Sequence, residues 1–301
     1  MPIRLYIEHP VSGPVKSYSG GESYPMTDNF DQHPTDHPQQ YPQQWEAPPV
    51  APEFDQPAGQ AGDIFDTSGF MRSWMTYVAL FVLVAFPITN LLTTGDPAET
   101  IKLMGQYPLV FYISTMVFLW VLFAMVYVAV WKEGQSLRAL GFGRLRGLHL
   151  MQGFTFFLVT ALILKGMEMV LTELGYPSVG ELSLLLPDTA LERVMWVGLS
   201  LTAGICEETA FRGYLITRIH NLTPQSWPSR LRWILPVAFS ALIFGLGHTY
   251  EGVAGFVMIT AYGAMIALLF LYTRSIWPCV FAHFLLDFIN LFVPLLESNS
   301  N

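Results

Sequence analysis

Charge is what this chain has least of. Asp, Glu, Lys and Arg make up 13% of its 301 residues, where ordinary soluble domains carry roughly 25%. Cysteine is nearly absent. Cys206 and Cys279 are the two, too few to staple a secreted scaffold of this length. A basic excess is missing as well, because 15 Lys and Arg face 23 Asp and Glu, a net charge of −8. That balance excludes a cationic nucleic-acid binder, and the composition fits neither a collagen-like nor a coiled-coil rod. What is present in quantity is apolar: 52% of the residues are hydrophobic and 14% aromatic.

The little charge there is lies unevenly. Residues 1–66 hold 11 of the 21 prolines, and ten carboxylates against Arg4 and Lys16. The whole net charge therefore belongs to this segment, and residues 67–301 carry thirteen acidic and thirteen basic side chains. Runs such as PQQYPQQW and EAPPVAPEF, with low hydrophobicity and high charge, predict a disordered Pro/Gln-rich acidic tail on the cytosolic side. It has no basic start followed by an apolar core, so a cleaved signal peptide is not expected in it. The tail reads as a solvated tether. Binding of a partner through its Pro-rich extended structure is the second reading.

From residue 67 onward the chain predicts a membrane domain. Residues 73–95 and 107–131 each exceed the roughly 20 residues needed to cross a bilayer. Further uncharged stretches run over 147–164, 233–250 and 252–273. Two more apolar regions are interrupted by charge: 194–206 runs into Glu207 and Glu208, and 275–296 contains Asp287. The expectation is an all-α, polytopic membrane protein of about seven transmembrane helices, with lipid as its surroundings. Arg72, Lys132, Arg138, Arg144, Arg146, Arg218, Arg230, Arg232 and Arg274 fall in connections on the N-terminal side, against Lys102 on the other. By the positive-inside rule the N-terminus is cytosolic and the C-terminus lies opposite. No internal repeat or pair of broken helices is visible, which argues against an inverted-repeat transporter.

An ionisable group inside a span costs about 2.5–3.5 kcal/mol on insertion scales and is a functional candidate by default. Three such intrusions lie in the last four spans. Glu207, Glu208 and Arg212 close an apolar helix; His248 ends the stretch that contains Phe244; His283 and Asp287 sit within the last. On an α-helix Glu208 and Arg212 share a face and neutralise each other. Glu207 is rotated about 100° from that pair and faces a different cavity. His283 and Asp287, four apart, also share a face, where the carboxylate fixes the imidazole tautomer. Gly245 and Gly247, beside His248, permit close helix approach.

The order Glu-Glu-x-x-x-Arg (207–212), Phe-x-x-x-His (244–248) and His-x-x-x-Asp (283–287) resembles the CPBP, or Abi, family of intramembrane proteases. That family includes the type II CAAX prenyl endopeptidases and proteins of bacteriocin processing or self-immunity. Phe-Arg-Gly-Tyr-Leu at 211–215 and Ser-Ile-Trp-Pro at 275–278 agree with it, and the resemblance covers about 175–296. It implies an endopeptidase acting on a membrane-anchored or lipidated peptide, with Glu207 and His248 activating water. His283 and Asp287 match the pair that supports the oxyanion and orients the site, and Glu208, Arg212 and Phe244 support it. Many relatives carry Asn where this chain has Asp287. An ionised Asp accepts but cannot donate, which moves oxyanion donation toward His283 and leaves Asp287 an orienting role.

The residues themselves leave rival chemistries open. A desolvated Glu is a workable base for water, so no cofactor and no metal is the favoured expectation. Glu207, His248 and His283 nonetheless offer ligands that zinc accepts. Cys279, four residues before His283, has the spacing of a nucleophile–base pair. A non-catalytic immunity or scaffold protein of the same fold and an ion-coupled transporter are the readings outside hydrolysis. Lys165 and Glu168, three apart, read as a structural ion pair.

Overall fold

The computed structural model describes residues 73–292, and regular structure among the described residues is entirely helical. The tail assigned to 1–66 lies outside them. The helices are α1 (Trp74–Thr93), α2 (Pro97–Gly105), α3 (Pro108–Lys132), α4 (Gly147–Glu173), α5 (Ala190–Glu207), α6 (Thr217–Leu222), α7 (Ser229–Leu246), α8 (Gly252–Thr273) and α9 (Trp277–Phe288). A π-helix, Glu208–Ile216, joins α5 to α6. Local chemistry sets several of these starts. Asp96 accepts from the Ala98 amide and Pro97 opens α2, while prolines stand in the first turns of α3 and α9, where a missing N–H costs nothing.

Five helical stretches are long and apolar enough to cross a membrane: α1, α3, α4, α7 and Thr249–Thr273. The protein is an integral membrane protein. The two other expected spans differ from these in a way that matters for the site. The 194–206 region is α5, which continues into the π-helix rather than ending at its carboxylates. The last span is a shorter apolar helix, Trp277–Phe292. The 12 residues of α9 extend about 18 Å at 1.5 Å each, well short of a hydrocarbon core of roughly 30 Å. Lipid-facing surface is supplied by side chains such as Phe81, Val121, Leu162 and Leu268. Helices α7 and α8 are the most enclosed of the long spans and α4 the least.

Glycines bring the inner helices into contact. A Cβ on Gly245 would fall on the Thr260 hydroxyl, and one on Gly263 would stand 3.2 Å from the Ala241 Cα, so α7 and α8 meet backbone to backbone. Gly204 of α5 and Gly153 of α4 allow the same approach to α9, 2.9 Å from the Val280 carbonyl and 2.7 Å from that of Pro278. Without a hydrophobic drive between helices in lipid, such close packing carries much of the association. Gly245→Ala is therefore expected to lower stability by about 1–3 kcal/mol, seen as a fall in Tm in detergent. Gly166→Ala is the control, since a Cβ there meets nothing within 4 Å, and it should leave Tm unchanged or raised.

A buried ionic knot closes one end of the bundle. Glu133, fully buried at the end of α3, accepts from the Thr76 hydroxyl (2.9 Å), the Tyr214 hydroxyl (2.8 Å) and Arg218 Nε (2.8 Å). Gln135 accepts from Arg218 Nη2 at 2.9 Å. The knot ties α1, α3, the π-helix and α6 together. Arg218, assigned above to a cationic connection on the N-terminal side, lies in α6 and is buried within the protein. On the same side the Ile276 amide donates to the Gly141 carbonyl (3.1 Å) and the Trp277 indole to that of Gly143 (2.7 Å). The opposite end is held by Asn90 on the Gly247 carbonyl (2.7 Å) and by Trp196 Nε1 on the Asp287 carbonyl (3.0 Å).

Candidate active site

The first motif is delivered by an uninterrupted helical rod. Thr189 and Glu192 cap the start of α5 reciprocally: Glu192 accepts from the Thr189 amide at 3.0 Å, and the Thr189 hydroxyl accepts from the Glu192 amide at 3.2 Å. Eighteen residues later the rod widens into the π-helix, where bonds run i→i+5. At both ends of that segment a threonine hydroxyl, Thr209 and Thr217, donates to the carbonyl four residues back, each at 2.5 Å. Gly213 lets the widened segment lie against Leu140, 3.0 Å from where its own Cβ would be. Glu207 is the last α-helical residue and Glu208 the first of the π-helix.

The α-helical expectation about these two glutamates is corrected on one point. Arg212 Nη1 does pair with Glu208 Oε1 at 3.0 Å, both side chains fully buried. The same Oε1 also accepts from His283 Nδ1 at 2.7 Å. Glu207 does not face a cavity apart: its Oε2 lies 3.8 Å from His283 Nε2. The two carboxylates flank one imidazole, one at each ring nitrogen. Asp287 Oδ2 is 3.6 Å from the same Nε2, beyond a direct hydrogen bond. The group that holds the His283 ring through a direct hydrogen bond is therefore Glu208 rather than Asp287. Exposure separates the acids further, because the side chains of Glu207 and Asp287 are 15% and 33% exposed while Glu208 is sealed.

The second motif enters from α7. His248 follows the helix directly, and its Nδ1 donates to the Phe244 carbonyl at 3.0 Å. A carbonyl only accepts, so Nδ1 holds the proton and the neutral ring keeps its lone pair on Nε2. Phe244 is also the aromatic hub of the site. The Arg212 guanidinium stacks over it at 4.1 Å, and it meets Phe211, His248 and His283 at ring separations of 5.2, 5.1 and 6.1 Å. The Phe-x-x-x-His spacing thus positions the histidine twice, through the carbonyl and through the ring.

Three neighbours escaped the sequence reading. Glu251 and Tyr250 lie on the turn after His248 and interact with each other, and Glu251 is within electrostatic reach of His248 and Glu207. Gly252, at φ +76°, permits that turn. Tyr262 of α8 lies edge-on to His283, ring centres 5.8 Å apart. The adjacency of His248, Tyr250 and Glu251 in sequence was a usable signal; Tyr262, in an unbroken apolar run, gave none.

Other candidates are placed elsewhere. Lys165 and Glu168 form a 2.8 Å pair on the exposed side of α4, the kind worth about 0–1 kcal/mol. Cys279 directs its thiol at the Ile266 and Ser275 carbonyls, and Cys206 is buried. Among the described residues no group of three or more His, Cys, Asp or Glu side chains is disposed to hold a metal ion.

Residues 189–289 match the family model described as type II CAAX prenyl endopeptidase Rce1-like. The match covers about a third of the chain, and this segment is similar to an Rce1-like domain. It starts at the Thr189 cap and ends just past Asp287, so all three motifs fall inside it, in agreement with the CPBP resemblance. The Rce1-like domain supports a membrane-embedded CAAX-type protease at family level. No curated protein and no solved structure gives a significant match to the chain.

Proposed function

We propose that the protein is an intramembrane endopeptidase in which Glu207 and His248 activate water against a peptide bond of a membrane-anchored, lipidated substrate. The observation that carries this reading is the unequal state of the two adjacent glutamates. Glu208 is sealed and committed to Arg212 and His283, whereas Glu207 is partly open and has no direct hydrogen bond to His283. At 3.8 Å the two groups are too far apart for a direct hydrogen bond, which leaves the partly exposed Glu207 carboxylate able to accept from a water beside it. Glu207, assisted by the neutral His248 with its lone pair on Nε2, takes a proton from water as the water oxygen adds to the scissile carbonyl. The C–N bond then breaks and the departing amine receives that proton. His283, held through Nδ1 by Glu208 and protonated at both ring nitrogens between the flanking carboxylates, donates toward the oxyanion through Nε2, and Asp287 adds a negative charge beside that nitrogen. Glu208, Arg212 and Phe244 hold the set in place.

The cationic connections favour a cytosolic N-terminus, with the motifs nearer the opposite end of the bundle. The test is mass spectrometry of new termini in membranes carrying wild-type protein or Glu207→Gln. Termini that vanish with Glu207→Gln are expected. Identical sets from both would favour the non-catalytic immunity or scaffold reading. Metal analysis of the purified protein addresses the zinc alternative: stoichiometric zinc, with activity lost on chelation, would replace direct general-base chemistry.

A further inference from the structure

A buried tyrosine hydroxyl beside the catalytic imidazole lacks a use in the scheme above. The Tyr262 side chain is enclosed, 4% exposed, and its hydroxyl has no hydrogen-bond partner among the described residues. Buried hydroxyls are nearly always paired, and leaving one bare costs about 1–3 kcal/mol. The ring is wedged against Phe156 on one side and His283 on the other, the latter edge-on at an interplanar angle of 83°. Its hydroxyl is within electrostatic reach of Glu208, Arg212 and Asp287, the groups that surround His283. The next residue, Gly263, contributes a carbonyl within 3.5 Å of Arg212 Nη2, which fixes this turn of α8 to the site.

Most other donors nearby are committed; Arg212 Nε is also buried without a partner among the described residues, but its guanidinium is held over the Phe244 ring and paired with Glu208. His283 Nδ1 donates to Glu208, His248 Nδ1 to Phe244, and Arg212 Nη1 to Glu208. Asp287, when ionised, accepts only. An oxyanion hole works best with two convergent donors, and His283 Nε2 supplies one. We infer that Tyr262 is a catalytic residue whose hydroxyl is the second donor to the tetrahedral oxyanion. This rests on the peptidase reading. The hydroxyl donates a hydrogen bond throughout and gives up no proton, so it enters and leaves the reaction unchanged.

Tyr262→Phe separates this role from a structural one, because it removes only the oxygen. Removing a donor that pairs solely in the transition state leaves the folded protein as stable as before, or more so. The expected result is a fall of about 100-fold in the initial rate of new-terminus formation in membranes, with Tm unchanged or raised. Glu207→Gln is run in parallel. A Tyr262→Phe rate within twofold of wild type, beside Glu207-dependent termini, overturns the Tyr262 role alone. A lowered Tm, showing that the hydroxyl serves Glu208 through a buried water, overturns it too. Termini that do not depend on Glu207 overturn the peptidase reading and this inference together.

Discussion

Glu207→Gln is expected to lower the rate of peptide-bond hydrolysis by about 10²–10⁴-fold, the range that a positioned general base contributes, with little change in Tm. Glutamine keeps the shape of the side chain and removes its capacity to take a proton. The stability expectation follows from the geometry. Glu207 is partly exposed and approaches His283 no closer than 3.8 Å, so the fold does not depend on its charge. Rates of new-terminus formation, measured beside thermal unfolding in detergent, check both halves. A loss of activity matched by a loss of Tm would assign Glu207 a structural part and remove it from the mechanism.

That prediction depends on telling two adjacent glutamates apart, and the sequence reading did so only in part. The membrane class and the three motifs were legible, because burying ionisable groups in apolar runs is costly and the exceptions stand out. The Glu208–Arg212 pair was legible as well, since four-residue spacing brings side chains together on an α-helix and at 3.0 Å here on a π-helix. What spacing could not show was the partner from another helix. The imidazole that sits between Glu207 and Glu208 comes from α9, 75 residues further on. Asp287 looked like its natural partner by helical arithmetic, yet the π-helix and the close approach of α5 to α9 at Gly204 bring the glutamates in instead.

Two other features were hidden for different reasons. In sequence Arg218 counts among the cationic connections and Glu133 is not singled out at all, and only the fold shows that the two are buried on one another. Tyr262 stands in a stretch apolar enough to be a lipid-facing span, so its hydroxyl carries no sequence signal. Burial without a partner is a property of the assembled helices, and it is that property that marks the residue.

Glu208→Gln is expected to be the most destabilising single change in the site, by about 3–5 kcal/mol, because it leaves the Arg212 guanidinium charged and unpaired where no water reaches it. Both side chains are fully buried and 3.0 Å apart. Replacing one partner of such a pair leaves an uncompensated charge, while replacing both with apolar groups of similar volume is often neutral or better. Glu208→Gln combined with Arg212→Met should therefore recover most of the lost Tm. Activity should not return with it. The Glu208 carboxylate also accepts a hydrogen bond from His283 Nδ1 at 2.7 Å, and in the double variant the ring loses the charged acceptor that orients it. Recovered stability with absent turnover would show that Glu208 positions His283. Recovery of both would reduce the residue to the neutraliser that its spacing alone implies, and would return the task of orienting His283 to Asp287.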